Sequence, residues 1–282
     1  MDEPLAVMVA PTGARRTKQD HPAIPITPDE VAVAASACVD AGAALIHVHV
    51  RDRSGQHLLD ADAYRATINR IRSAVGDRMI IQVSTEAVGR YGREEQMALV
   101  RDLVPEAISF AVRELFPADA EEGPAAAFLE WVDREAILPQ YILYSRSDVE
   151  RFHELCRRGV IPSARLAVIF VLGRYGAIEQ SGPIDLVPFL GAWKGPGSWS
   201  MCAFGPREGA CALTAAALGG HVRVGLENNL YLTNGTQAPD NAALVRQVTD
   251  HAALVGRRIV RADEARAVLW NPPDRPDATL GR

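Results

Sequence analysis

The 282-residue chain is long for one ordinary domain but of a common length for a closed α/β barrel, typically about 250 residues. A formal net charge of −5 gives no electrostatic basis for a nucleic-acid or anionic-membrane partner, and no apolar run approaches a membrane span of roughly 20 residues. Met1-Asp2-Glu3-Pro4 lacks the start of an export signal, and Cys38, Cys156, Cys202 and Cys211 form no CxxC pair, so a cytoplasmic protein is expected.

Apolar, β-branched runs then alternate with helical patterns. A strand at 5–10 leads, through a polar segment from Pro11 to Pro25, to a helix at 28–41. Strand and helix follow at 44–50 and 60–74, 79–83 and 93–103, 107–111 and 124–134, and 137–143 and 147–158. The series continues with 165–171 and 183–193, 198–203 and 207–218, and 221–226 and 239–254. Thr27-Pro28-Asp29-Glu30 combines an N-cap hydroxyl, a first-turn proline and a glutamate three residues after the cap, and Gly219-Gly220 marks a helix end. Eight strands each followed by a helix predict a parallel (β/α)8 TIM barrel, read as one domain over 1–282 with a terminal arm at 271–282. The segment Pro11–Pro25 is far longer than a usual βα loop and lies on the face where barrels build active sites, which makes it a candidate lid or clamp.

Leu45-Ile46-His47-Val48-His49-Val50-Arg51-Asp52 carries the strongest chemical signal. Residues two apart on a strand share a face, so packing Ile46, Val48 and Val50 against helices sends His47 and His49 into the barrel. Barrel interiors are filled mainly by branched apolar side chains, so two imidazoles at a strand end point to a metal, with structurally satisfied histidines as the alternative. In His221-Val222-Arg223-Val224-Gly225-Leu226-Glu227 the same parity turns Arg223, Gly225 and Glu227 inward, with Gly225 expected to leave room for Arg223. His221 falls near the bottom and reads as structural. Two histidines and a carboxylate suit zinc, and also iron(II). Ser84, at the end of strand three, is a candidate hydrogen-bond donor to substrate, and Ser109 has the same possible role on strand four. No GxSxG elbow, Walker loop or GxGxxG fingerprint is present, and Phe204-Gly205-Pro206-Arg207-Glu208-Gly209 offers only a helix start that could meet an anion.

With these residues in view, the chain resembles the β-keto acid cleavage enzymes. The likeness runs through Thr12-Gly13-Ala14, the His47/His49 stretch, Gln82-Val83-Ser84-Thr85, Phe170-Val171-Leu172-Gly173 and Gly219 to Glu227. The resemblance implies a zinc ion (Zn2+) on His47, His49 and Glu227, and oligomers that are commonly tetramers. It also implies condensation of a β-keto acid with acetyl-CoA to give acetoacetate and a new acyl-CoA. Arg223 matches the family arginine assigned to proton transfer, and Ser84, with Thr85 beside it, matches the substrate-orienting position.

Several residues depart from the family pattern. Arg15 and Ile142 stand where glutamates meet a substrate ammonium group, so a non-cationic substrate is expected. Arg15 would bind a second substrate carboxylate if it entered the mouth, and would leave a neutral alkyl side chain favoured if it faced solvent or CoA phosphates. Asn228 replaces an aspartate and cannot take up a proton. Ser109 replaces a threonine, and Glu86 stands where glycine is usual, which makes it a candidate replacement acid–base group beside Arg223 and Asn228. Two further readings fit the residues: a CoA-independent metal-assisted C–C lyase or isomerase, and a ligand-binding barrel without turnover.

Overall fold

The computed structural model describes residues 3–117, 120–174 and 180–270; the expected arm at 271–282 lies outside them. Eight parallel strands close a barrel in chain order: β1 (Val7–Val9), β2 (Leu45–Val48), β3 (Ile80–Ser84), β4 (Ala107–Ala111), β5 (Leu138–Leu143), β6 (Ala167–Leu172), β7 (Ser198–Ala203) and β8 (His221–Val224). The helices following them are α1 (Pro28–Asp40), α2 (Ala61–Val75), α3 (Arg93–Leu103), α4 (Gly123–Arg134), α5 (Arg146–Arg157), α6 (Val187–Ala192), α7 (Glu208–Ala217) and α8 (Asn241–Thr249). The TIM barrel expected from the sequence is therefore the fold.

Strand parity sorts the core into three regions. Outward residues such as Val9, Ile46, Val48, Ile81, Val83 and Val222 pack with the apolar faces of the helices, including Val31, Tyr64, Ile71 and Met97. Inward residues at the lower end, Met8, Leu45, Ile80, Ala107 and Ala167, pack on a helix the sequence reading left unassigned, α9 (Ala262–Trp270). Its buried Trp270 donates Nε1–H to the Pro139 carbonyl at 2.5 Å and closes the floor. Toward the mouth, Ala111, Ile142, Ile169, Val171, Cys202 and Phe204 form an apolar wall.

Local signals explain the boundaries. At α1 the Thr27 hydroxyl accepts from the Glu30 amide at 3.3 Å, while the Glu30 carboxylate accepts from the Thr27 amide at 3.0 Å. The expected helix at 183–193 is a 3-10 turn, Pro183–Leu186, running into α6, because each proline is confined to a first turn, where no N–H is needed.

Three strand expectations need correction. The run 5–10 is split: Glu3–Leu5 pairs with Arg257–Ile259 outside the barrel, and only Val7–Val9 enters it. β2 ends at Val48, because Val50–Arg51 turns away to pair antiparallel with His57–Leu58. β8 ends at Val224, where Gly225 takes a φ of +145° and a Cβ there would lie 2.3 Å from the Ala10 carbonyl oxygen. Gly225 thus lets the turn after the last strand lie against the Ala10 backbone, just past β1.

Candidate metal centre

His47 is on β2, His49 immediately beyond it, and Glu227 in the turn after Gly225, so three separate backbone features converge at the barrel mouth. The Nε2 atoms of His47 and His49 are 3.0 Å apart, and Glu227 Oε2 lies 4.0 and 3.7 Å from them respectively. Around a tetrahedral zinc with bonds of about 2.0–2.1 Å, donor atoms stand about 3.3–3.4 Å apart, which these separations bracket. All three side chains are nearly inaccessible, and Glu227 Oε2 has no hydrogen-bond partner among the described residues. A buried carboxylate oxygen left so is costly, and a cation at this point would satisfy it. The donor set fits a divalent transition metal.

The electrostatics keep the donors in ligating form. Burial, reinforced by Arg223, pulls His47 down to about 4, and burial with His47 as neighbour holds His49 well below the usual imidazole range. Burial opposes ionisation of Glu227, but Arg223 and then His47 outweigh it and keep the carboxyl below its ordinary value. At neutral pH the cluster is two neutral imidazoles and a carboxylate.

Beside the cluster is a cleft lined by His47, Ser84, Glu86, Arg174, Arg223 and Glu227, with Ile142, Tyr144, Val171 and Phe204 as its apolar wall. Arg223 is buried, with Nη2 3.6 Å from Glu227 Oε1 and 3.4 Å from Cys202 Sγ, while its Nε and Nη1 have no hydrogen-bond partner among the described residues. Ser84 is buried at the cleft, its oxygen accepting from the Glu86 amide at 3.3 Å. Glu86 reaches Arg174 Nη2 at 2.7 Å and comes within 4.0 Å of His49 Nδ1; burial pushes its carboxyl up, against the pull of Arg174. The candidate acid–base group is therefore held by an arginine the sequence reading missed, although Arg174 immediately follows the strand-six motif.

Other expected residues stand farther from the cleft. The Thr85 hydroxyl donates to the Ser109 carbonyl at 3.0 Å and does not line the cleft. Ser109 and Asn228 are fully buried and absent from its lining; the Ser109 hydroxyl and both polar atoms of the Asn228 side chain have no hydrogen-bond partner among the described residues. Arg15 is exposed at the rim, lining a second hollow with Thr12, Gly13, Arg16 and Glu227. The Pro11–Pro25 segment is tied to the barrel: Arg51 donates to the Gly13 carbonyl at 3.0 and 2.6 Å and to the Arg16 carbonyl at 3.0 Å, and His21 Nε2 meets the Ala238 carbonyl at 2.8 Å. No side chain among the described residues caps the helix start after Phe204. Buried Glu208, missed in the sequence, accepts from the Gly225 amide at 3.0 Å and Asn229 Nδ2 at 3.3 Å, bracing the turn that carries Glu227. His221 is structural, as expected, accepting the Ala6 amide at Nδ1 (3.1 Å).

Fold and site together define a TIM barrel with a two-histidine, one-carboxylate cluster buried at its catalytic face. A family model described as beta-keto acid cleavage enzyme matches residues 4–270, and the chain belongs to that family. It is 30% identical over 274 residues to a 3-keto-5-aminohexanoate cleavage enzyme of Acetoanaerobium sticklandii, covering 95% of this chain and 98% of the relative. It is 31% identical over 283 residues to a 3-oxoadipate:acetyl-CoA acetyltransferase of Cupriavidus necator, covering 96% of each. A solved ternary complex of ObcA with a C4-CoA adduct and oxalate shares the fold, with a TM-score of 0.70 at 19% identity over 88% of this chain and 67% of that one.

Proposed function

We propose that the protein condenses a β-keto acid with acetyl-CoA, releasing acetoacetate and a new acyl-CoA, and that it uses zinc to do so. The observation that carries the reading is the convergence of His47, His49 and Glu227 beside the Ser84- and Arg223-lined cleft, in a chain whose relatives include an acetyl-CoA acetyltransferase acting on a β-keto acid. A divalent metal on the cluster would supply Lewis acidity toward the oxygens of the keto acid. The chain's own residues would do the rest. Ser84 offers its hydroxyl to the substrate at the cleft floor. Arg223 presents Nε and Nη1 to the negative charge that develops on the keto acid and holds a proton for transfer. Ile142, Val171 and Phe204 exclude water and receive the substrate side chain. Thr85, Ser109 and Asn228 support these groups from behind the cleft, and Glu86 offsets the charge of Arg174.

The wall at Ile142 and the pairing of Glu86 with Arg174 support a keto acid whose side chain carries no positive charge. Arg15 is exposed at the rim, and we assign it to the phosphates of CoA, with an uncharged substrate side chain as the class to be tested first. We propose a cytoplasmic homotetramer, each chain one domain. The test is a panel of neutral, cationic and anionic β-keto acids given to metal-analysed protein with and without acetyl-CoA, with acyl-CoA and acetoacetate measured. Acyl-CoA formed only when acetyl-CoA is present supports the reading. Cleavage without CoA would replace it with a lyase, and tight keto-acid binding without product would make the barrel a binding protein.

A further inference from the structure

Beneath the cluster, the barrel interior carries a row of buried polar side chains that the proposed chemistry does not use. His47 Nδ1 lies 2.8 Å from Gln82 Oε1; Gln82 Nε2 is 3.2 Å from Gln140 Oε1; Gln140 Nε2 is 3.1 Å from Ser200 Oγ; and Ser200 Oγ is 2.9 Å from the Val168 carbonyl oxygen. Gln82, Gln140 and Ser200 are essentially inaccessible, so water does not compete for these bonds. The row crosses the barrel from β2 through β3 and β5 to β7, using the inward position of each strand.

Its direction is set at the far end. A backbone carbonyl can only accept, so the Ser200 hydroxyl donates to Val168 and must itself accept from Gln140. The Gln140 amide nitrogen also faces the thioether of Met8 at 3.7 Å, which again only accepts. Gln140 therefore turns its carbonyl oxygen toward Gln82. That oxygen requires the Gln82 NH2, which leaves the Gln82 carbonyl oxygen facing His47. His47 must then carry its proton on Nδ1, and its Nε2 is left with a lone pair directed at His49 and Glu227. None of the three relay side chains titrates, so the arrangement holds at any pH at which His47 is neutral.

We propose that the Gln82–Gln140–Ser200 relay fixes the His47 tautomer for metal binding, with Gln140 a positioning residue that never touches substrate or metal. The inference rests on the reading of His47 as a ligand. Outer groups that orient a metal-binding histidine are typically worth about 10–100-fold in metal affinity. The test uses the full chain labelled with 15N-histidine, metal-free and then titrated with zinc against a competing chelator. Two-bond 1H–15N correlation is expected to show His47 protonated on Nδ1 in the metal-free chain. Gln140→Met, similar in shape but unable to accept from Gln82, frees the Gln82 amide to turn over. It is expected to populate the Nε2–H form and to weaken zinc binding by about 10–100-fold. Gln140→Glu keeps the acceptor and is expected to restore both readouts. His47 protonated on Nε2 in the unmodified chain, or Gln140→Met with unchanged tautomer and affinity, overturns the proposal. Should Gln140→Met not fold, the isosteric pair Ser200→Val and Ser200→Thr decides: only the valine is expected to shift the tautomer, and equal behaviour of the two refutes the relay. Nδ1 protonation in a chain that binds no divalent metal would support the relay and remove the metal reading instead.

Discussion

Gly13 is where the loop after β1 touches the metal cluster, and Gly13→Ala tests the packing of Glu227 directly. Gly13 has a φ of +67°, and a Cβ there would lie 2.5 Å from Glu227 Cγ and 3.2 Å from both its Cβ and Cδ. Carbon atoms in contact sit about 3.5–4.0 Å apart, so the glutamate or the loop must retreat by roughly 1 Å. Cγ is the atom next to the Glu227 carboxyl, and metal–ligand distances in sound sites lie within about 0.2 Å of their usual values. The loop cannot yield freely, because the Gly13 carbonyl holds two nitrogens of Arg51. The left-handed backbone adds about 1–2 kcal/mol for any residue with a Cβ. At about 2–4 °C per kcal/mol in a domain somewhat smaller than this, that strain lowers Tm by a few degrees. Disturbing a ligand directly should weaken zinc binding by at least the 10–100-fold typical of outer-shell changes. Chelator competition measures the affinity, and thermal unfolding of the metal-free chain measures the strain separately. Wild-type zinc affinity in a folded Gly13→Ala chain would refute the packing of Gly13 on the ligand, whatever its Tm.

The remaining expectations follow from the same geometry. His47→Ala, His49→Ala and Glu227→Ala should each lose most bound metal, while the chain as purified holds about one zinc; elemental analysis showing metal retained in all three variants would move the site elsewhere. Burial raises the Glu208 carboxyl to about 8 against its Gly225 and Asn229 donors. The folded chain therefore keeps a proton that the unfolded chain releases, and stability from this group, complete below the ordinary glutamate range near 4.5, is lost as pH rises toward 8. Glu208→Gln should flatten the fall in urea midpoint across that window, and an unchanged slope would refute it. Glu86→Gln removes one negative charge from the cleft, and Arg174→Met removes one positive charge. The first should raise the kcat/KM ratio of a dicarboxylic keto acid over a neutral one roughly tenfold, about 1.4 kcal/mol, and the second should lower it. Equal ratios in both variants would detach the pair from substrate choice.

Much of this was legible in the sequence because barrels make parity informative. A strand covered on its outer face by helices must send every second residue inward, and His47 and His49 followed from that rule. The end of β8 was less legible. Glu227 does reach the cluster, but through a turn, because Gly225 ends the strand instead of continuing its alternation. Arg174 and Glu208 gave no periodic signal, since each acts from a connection or a helix start through a partner distant in sequence. Gln82 and Gln140 were open to the same parity argument as the histidines, yet their connection depends on strand register, which places His47 beside Gln82 and Ser109 beside Gln140. The closing helix α9 was missed because eight strand–helix pairs already complete a barrel, and its apolar face is used only to cover the floor.

The charge arrangement of the cleft connects the fold to the proposed reaction. Among the charged residues that line it, Glu86 and Glu227 are acidic and Arg174 and Arg223 are basic, so these four balance. A divalent metal on the cluster would bring them to a net charge of +2, in surroundings where burial already keeps both histidines neutral. An anionic keto acid would then enter an electropositive, poorly hydrated mouth, where charge developing on it would be stabilised more strongly than in water. An ammonium group on the same substrate would be repelled by that field, and neither Arg15 nor Ile142 supplies a carboxylate to receive it. The preference for a non-cationic keto acid thus follows from the whole balance around the cluster: a cationic substrate turned over as well as a neutral one would be incompatible with it, even if the metal were bound as proposed.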